Sequence, residues 1–129
     1  MKKSILVIDD FAMNLRIVNE ILSKDYDVYI AKSGMKAFEV LKNTKVDLII
    51  LDLVMPEMSG TDFLKILRRL DLYKDLPVIV MTGRKDLSSF KDAYAHGIID
   101  YIGKPFEKET LLNKVKKAFL KVNIDENYE

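Results

Sequence analysis

Val46-Asp47-Leu48-Ile49-Ile50-Leu51-Asp52-Leu53 is apolar almost without a break, where a strand with one wet face would alternate. A run of this kind suits a strand covered on both sides, and only Asp47 near its beginning and Asp52 near its end interrupt it. Working outward, Ile5–Ile8, Leu76–Met81 and Ile98–Ile102 share its character, and Asp27–Ala31 is a weaker fifth run. The segments between them carry helical spacing: Leu15, Val18 and Leu22; Ala37, Phe38 and Leu41; Phe63, Leu67 and Leu70; Leu87, Phe90 and Tyr94; Leu111, Val115, Ala118 and Val122. Strand and helix thus alternate five times. That pattern calls for a parallel sheet with right-handed crossovers and helices on both faces, an α/β doubly wound (βα)₅ fold. Gly34, Pro56, Gly60 and Pro77 punctuate elements, and none of them divides domains.

The 129 residues make one domain able to bury a sizeable core, and 49% hydrophobic with 32% charged residues is the composition of an ordinary globular protein. Twenty-one basic residues against twenty acidic ones leave a net charge of +1, so no global field draws in nucleic acid or an anionic membrane. Direct nucleic-acid binding is disfavoured. The absence of cysteine excludes a disulfide framework and a zinc-thiolate site and points to the cytoplasm. Met1-Lys2-Lys3 has the charge of a signal-peptide start, but the apolar run behind it ends at Ile8, so neither export nor membrane insertion is expected. After residue 122 the helical pattern fades and residues 123–129 turn acidic, as in a short tail or the start of a linker.

Asp47 apart, the polar residues that interrupt the apolar strands mark carboxyl ends. Asp9 and Asp10 follow the first strand, Asp52 ends the third, Thr82 ends the fourth and Lys104 follows the fifth. Open α/β sheets bind ligands beyond the carboxyl ends of their strands, where the strand order reverses. For an order of 2-1-3-4-5 that crevice lies between strands one and three and brings Asp9, Asp10 and Asp52 together. Three carboxylates in one crevice repel and raise one another's pKa unless a cation intervenes. An oxygen-only donor set favours Mg²⁺, which is typically held by a few carboxylates together with phosphate oxygens. Lys104 offers a compact positive charge, the Thr82 hydroxyl can bond a phosphoryl oxygen, and Gly83 lets a backbone N–H approach it. An aspartate carboxylate can itself act as the nucleophile that forms an acyl phosphate.

Ile5-Leu6-Val7-Ile8-Asp9-Asp10, Leu51-Asp52-Leu53-Val54-Met55-Pro56-Glu57-Met58-Ser59-Gly60, Thr82-Gly83 and Asp100-Tyr101-Ile102-Gly103-Lys104-Pro105-Phe106 together resemble, in order and spacing, the receiver domain of bacterial two-component response regulators. The resemblance covers about residues 3–121 and implies a flavodoxin-like fold with the sheet order 2-1-3-4-5. It implies Asp52 as phosphoacceptor, charged by a sensor histidine kinase or phosphotransfer protein. It assigns Mg²⁺ to Asp10, Asp52 and the Val54 backbone carbonyl, with Asp9 acting directly or through water. Lys104 would pair with Asp52 and then with the phosphoryl group, ahead of a cis bond to Pro105. Thr82 and Tyr101 would form a switch pair that rearranges the surface of helix 4, strand 5 and helix 5. Such a protein turns over no external substrate and catalyses only its own phosphorylation and dephosphorylation. It acts on a downstream protein or an output domain, and a phosphorylation-dependent homodimer is also compatible with it. No output motif follows residue 121.

Taken singly, each residue has a plainer explanation. Asp10 could cap the next helix, Asp52 could brace the turn before Pro56, and Tyr101 could be an edge aromatic. It is their joint order at strand ends that outweighs this. His96, the sole histidine, precedes Gly97 and reads as a helix C-terminal cap. Lys108, Lys114, Lys116, Lys117 and Lys121 read first as a solvated helix face, with a basic partner surface as the alternative. An aspartyl-nucleophile phosphatase would place its second Asp two residues after the nucleophile, whereas Asp9 and Asp10 are adjacent. Val54 and Arg84 occupy positions that, by the resemblance, influence hydrolysis of the acyl phosphate; a valine cannot orient water, so a long-lived phosphoryl group is expected.

Overall fold

A computed structural model describes residues 2–83 and 87–127, with side chains at 2–83 and 91–121. Arg84 and the side chains of Leu87, Phe90 and Val122 lie outside the described residues. The chain alternates β1 (Ser4–Ile8), α1 (Ala12–Leu22), β2 (Asp27–Ala31), α2 (Gly34–Asn43), β3 (Leu48–Asp52) and α3 (Gly60–Arg69). After a 3₁₀ turn at Asp71–Tyr73 it continues with β4 (Val78–Gly83), α4 (Leu87–Ala95), β5 (Asp100–Lys104) and α5 (Lys108–Asn127). All strand pairs are parallel in the order β2-β1-β3-β4-β5. The doubly wound expectation is met.

The unbroken apolar runs have the anticipated cause. Leu6, Ile8, Ile49, Leu51, Val78 and Val80 face a core built with α2, α3 and α4, while Ile5, Val7, Leu48, Ile50, Ile79 and Met81 face a second core built with α1 and α5. Successive residues of one strand therefore enter different cores, and every residue of β3 is buried. Each fully buried aliphatic side chain contributes roughly 1.5–3 kcal/mol. The edge strand β2 instead leaves Tyr29 and Ile30 exposed, which explains its weaker sequence signal.

Several boundaries shift from the sequence reading. The third strand begins at Leu48 because Asp47 is used for pairing: its carboxylate accepts from the Ser4 backbone N–H at 2.8 Å, and its own N–H donates to the Ser4 carbonyl at 2.8 Å. The fifth begins at Asp100, and Lys104 is its last residue rather than the residue after it. Helix α5 continues through Asn127, past the point where its apolar pattern fades. Ser33 and Ser59 cap α2 and α3, accepting from the N–H of Lys36 and Asp62 at 3.1 Å each, which is worth about 1 kcal/mol per cap.

Arg68, near the end of α3, ties the base of the domain together. Its guanidinium donates to the carbonyls of Tyr73 (2.9 Å), Leu76 (2.8 Å), His96 (2.9 Å) and Gly97 (2.6 Å). Burial lowers its pKa, while Asp75 pulls it up. This clamp fixes the α4–β5 turn, where Gly97 takes a positive φ of 81° and His96 Nδ1 lies 2.8 Å from the Asp92 carbonyl. The C-terminal capping read for His96 agrees with that contact. Among the described residues no helix is long and apolar enough to cross a membrane.

Candidate functional site

The sheet order puts the ends of β1 and β3 side by side, with Ile8 in register with Leu51. Asp9 and Asp10 follow one strand and Asp52 closes the other, so their carboxylates meet although they are more than forty residues apart in sequence. One ligand oxygen from each lies within 4.8 Å of the others. Asp9 and Asp52 are buried, at 2% and 6% exposure, while Asp10 opens to solvent.

The two buried carboxylates have distinct roles in the local structure. Asp9 Oδ1 accepts from the Phe11 N–H at 2.9 Å, and Oδ2 accepts from Asn14 Nδ2 at 3.1 Å. Helix α1 is therefore started by Asp9, not by the Asp10 side chain; the capping position is Phe11, which makes no side-chain cap bond. Asp52 Oδ1 accepts from the Val54 N–H at 3.2 Å. The chain turns sharply after Asp52 because Gly60, at the start of α3, lies directly against it: a Cβ there would collide with the Asp52 carbonyl oxygen and come within 2.6 Å of Leu53 Cα. The Gly60 N–H donates to the Leu53 carbonyl at 2.9 Å.

Lys104, at the end of β5, reaches across β4 to the acidic pair. Its Nζ lies 3.1 Å from Asp9 Oδ2 and 3.4 Å from Asp52 Oδ2. The expected Lys104–Asp52 pair is thus shared with Asp9, the nearer partner. Among the described residues, one ammonium beside three carboxylates leaves negative charge uncompensated. The Asp52 carboxyl is raised from 3.8 to about 6, first by burial and also by the Asp9 charge, against the opposing pull of Lys104 and the Val54 hydrogen bond. A cluster of hard oxygen donors with a charge deficit fits a hard divalent cation. The Lys104–Pro105 peptide is cis, as expected.

Thr82 is buried on β4 in register with Gly103, and Tyr101 pairs with Val80 two residues earlier. In-register neighbours share a face, so Thr82 and Tyr101 stand on the same side of the sheet. No atom of the described residues lies within 4 Å of where a Gly103 Cβ would be, and the Tyr101 side chain is outward at 51% exposure. Val54 is also exposed. Asn14, Gly60 and the Arg68 clamp were not singled out in the sequence as site or support residues. Asn14 is a polar residue one position before the buried Leu15, a faint signal; the other two depend on close tertiary approach.

The family pattern of the response regulator receiver domain matches residues 5–116. The heme response regulator HssR of Staphylococcus saprophyticus is 34% identical over 125 residues, covering 96% of this chain and 54% of that protein. A probable cyclic di-GMP phosphodiesterase of Vibrio cholerae is 32% identical over 112 residues, covering 87% of this chain and 25% of that protein. The chain therefore spans about half or less of the length of these relatives. Among solved structures, the Vibrio cholerae chemotaxis protein CheY4 superposes with a TM-score of 0.86 at 28% identity, covering 92% of this chain and 99% of that one. A CheY-like receiver domain protein from Methanospirillum hungatei also gives 0.86 at 28% identity, with full coverage of both chains. With acidic residues and a lysine gathered at the strand ends and the family pattern running through all five strands, this chain belongs to the response regulator receiver domain family.

Proposed function

We propose that the protein is a phosphorylation switch of a two-component pathway in which Asp52 is the phosphoacceptor. The observation that carries this reading is the meeting of Asp9, Asp10 and Asp52 with Lys104 at the carboxyl end of the sheet. A carboxylate oxygen of Asp52 attacks the phosphorus of a phosphohistidine on a sensor kinase or phosphotransfer protein. The phosphorus–nitrogen bond breaks with its electron pair going to the imidazole nitrogen, which takes a proton from solvent, and an acyl phosphate forms on Asp52. Lys104 moves its charge from the carboxylate pair to the phosphoryl oxygens, and the Thr82 hydroxyl bonds one of them. Mg²⁺, when bound, neutralises charge on the carboxylates and phosphoryl oxygens. Asp10, Asp52 and the Val54 carbonyl would hold it, with Asp9 direct or through water.

The output reading is supported by Thr82 and Tyr101 sharing a face beside Gly103, around whose Cβ position the described residues leave space. As Thr82 is drawn toward the phosphoryl group, the Tyr101 ring turns into that space, and the α4–β5–α5 surface changes for a partner or output domain. Intact-mass measurement after incubation with acetyl phosphate and Mg²⁺ tests the reading. One phosphoryl group should be gained by the wild type and none by Asp52→Asn or after chelation; an unmodified wild type would count against it. The exposed Val54 side chain beside Asp52 cannot orient water, so the acyl phosphate should outlast seconds in the isolated protein, and decay on that scale would refute this part.

A further inference from the structure

Asp9 Oδ2 accepts twice, from Asn14 Nδ2 at 3.1 Å and from the Lys104 ammonium at 3.1 Å. Its other oxygen is held by the Phe11 N–H at 2.9 Å, and the residue is only 2% exposed. An ionised carboxylate only accepts, so Asn14 must face it with the amide nitrogen and not with the amide oxygen. The two donors on Oδ2 differ in reach. Lys104 has a flexible four-carbon stem and also lies 3.4 Å from Asp52 Oδ2. Asn14 is short and half-buried in the first turn of α1, where its own backbone N–H is bonded to the Phe11 carbonyl at 3.0 Å.

We propose that Asn14 is a positioning residue for phosphorylation: it is the donor that stays on Asp9 when Lys104 leaves for the phosphoryl group on Asp52. This role rests on the reading of Asp52 as the phosphoacceptor. A carboxylate as buried as Asp9 resists the loss of a donor, because water does not reach it to replace the bond. Without Asn14, the departing lysine would strip Oδ2 of its last donor among the described residues, and Asp9 would hold the ammonium back. With Asn14 in place the oxygen stays bonded, and Lys104 follows the charge that develops on the phosphoryl oxygens. The carboxylate also keeps its orientation, since Phe11 fixes one oxygen and Asn14 the other. Asn14 thus acts through Asp9 and Lys104 and touches no reacting atom. Starting α1 does not account for it: asparagine is a weak helix former, and the Phe11 N–H is already covered by Asp9 Oδ1.

The test compares Asn14→Gln, which keeps an amide donor, Asn14→Leu, which removes it at similar size, and Asn14→Asp, which puts an acceptor in its place. Phosphorylation of the full chain by acetyl phosphate is followed by intact mass over a range of Mg²⁺ concentrations. The rate at saturating Mg²⁺ should fall about tenfold in Asn14→Leu, the low end for one hydrogen bond to a charged group. It should fall further in Asn14→Asp and least in Asn14→Gln. A role confined to starting α1 predicts the reverse for Asn14→Asp, because the helix dipole favours an acidic residue in the first turn. The Mg²⁺ concentration for half the maximal rate should stay nearly unchanged in Asn14→Leu, which separates an effect on Lys104 from one on the metal. A stability cycle in chelator adds a readout that needs no phosphorylation. Wild type, Asn14→Leu, Lys104→Ala and the double variant are unfolded in urea, with trimethylamine N-oxide added to keep the weakest folded. The double change should lower the folding equilibrium constant about tenfold beyond the product of the single effects, because only the loss of both donors leaves Oδ2 bare. Equal rates across the series, a half-saturating Mg²⁺ that shifts in step with the rate, or additive losses in the cycle would overturn the assignment. No mass gain in the wild type would overturn the phosphoacceptor reading and this role with it, whereas a mass gain with additive losses would overturn the role of Asn14 alone.

Discussion

Replacing Asp52 by asparagine should stabilise the fold above neutral pH when divalent cations are absent. The Asp52 carboxyl is raised from 3.8 to about 6, chiefly by burial, so the folded state holds its proton more tightly than the unfolded chain does. Wild-type stability should therefore fall as pH rises from about 4 to about 6 and level off above that, because the unfolded state releases the proton first. The full separation corresponds to about 3 kcal/mol of cost for the ionised group. The amide carries no such cost, and the opposing pulls of Lys104 and the Val54 N–H are already contained in the raised pKa, so the net gain should be about 3 kcal/mol at about pH 8. Well below about pH 4 the Asp52 carboxyl is neutral in both the folded and the unfolded chain, as the amide is, and the two proteins should be equally stable. Lys104 is not orphaned by the change, since Asp9 still lies 3.1 Å from it. Urea unfolding in chelator, followed by far-UV dichroism across this range, measures the difference. A variant no more stable than wild type at high pH, or a gap that does not close on acidification, would refute the reasoning. Saturating Mg²⁺ should then narrow the gap by stabilising the wild type selectively, by about 2.7 kcal/mol at a hundred times the dissociation constant.

Lys104→Ala should cost about 3 kcal/mol in chelator at neutral pH, because Asp9 and Asp52 would lose their shared buried cation; a midpoint unchanged in urea would contradict the pairing. Gly60→Ala should destabilise by at least about 2 kcal/mol and slow phosphorylation of Asp52, because the new methyl meets the backbone of Asp52 and Leu53 and not a flexible side chain. Wild-type stability together with wild-type phosphorylation would show that the turn can yield. Glu57 adopts a left-handed φ of 66° in the same loop, so Glu57→Gly should be neutral or stabilising by about 0.5 kcal/mol, the relieved strain slightly exceeding the added chain entropy. A loss above about 1 kcal/mol in thermal unfolding would sink that account.

Much of the architecture was legible because burial on both faces forces continuous apolar strands, and only a helix-covered parallel sheet asks for five of them in alternation with helices. Even the displaced boundaries have local reasons: Asp47 looks like a strand residue but is used to pair with Ser4, and the end of α5 outlasts its apolar stripe. The site residues were legible as a set because, although each has a structural explanation taken singly, their joint placement at the carboxyl ends of buried strands has none. That Asp9, Asp10 and Asp52 face one another followed only from an assumed strand order, which the observed β2-β1-β3-β4-β5 sheet supplies.

The sequence by itself determined which residues are strands and helices, which polar groups sit at strand ends, and the family to which their order belongs. Tertiary structure alone decided that Lys104 divides itself between Asp9 and Asp52, that Asp9 starts α1, that Gly60 lies against the acceptor, and that Lys114 bridges Asp100 and Tyr101. The physical reason is range. Hydrophobic periodicity is set by neighbours a few residues apart, whereas charge sharing and close backbone approach depend on distances between elements that are remote along the chain.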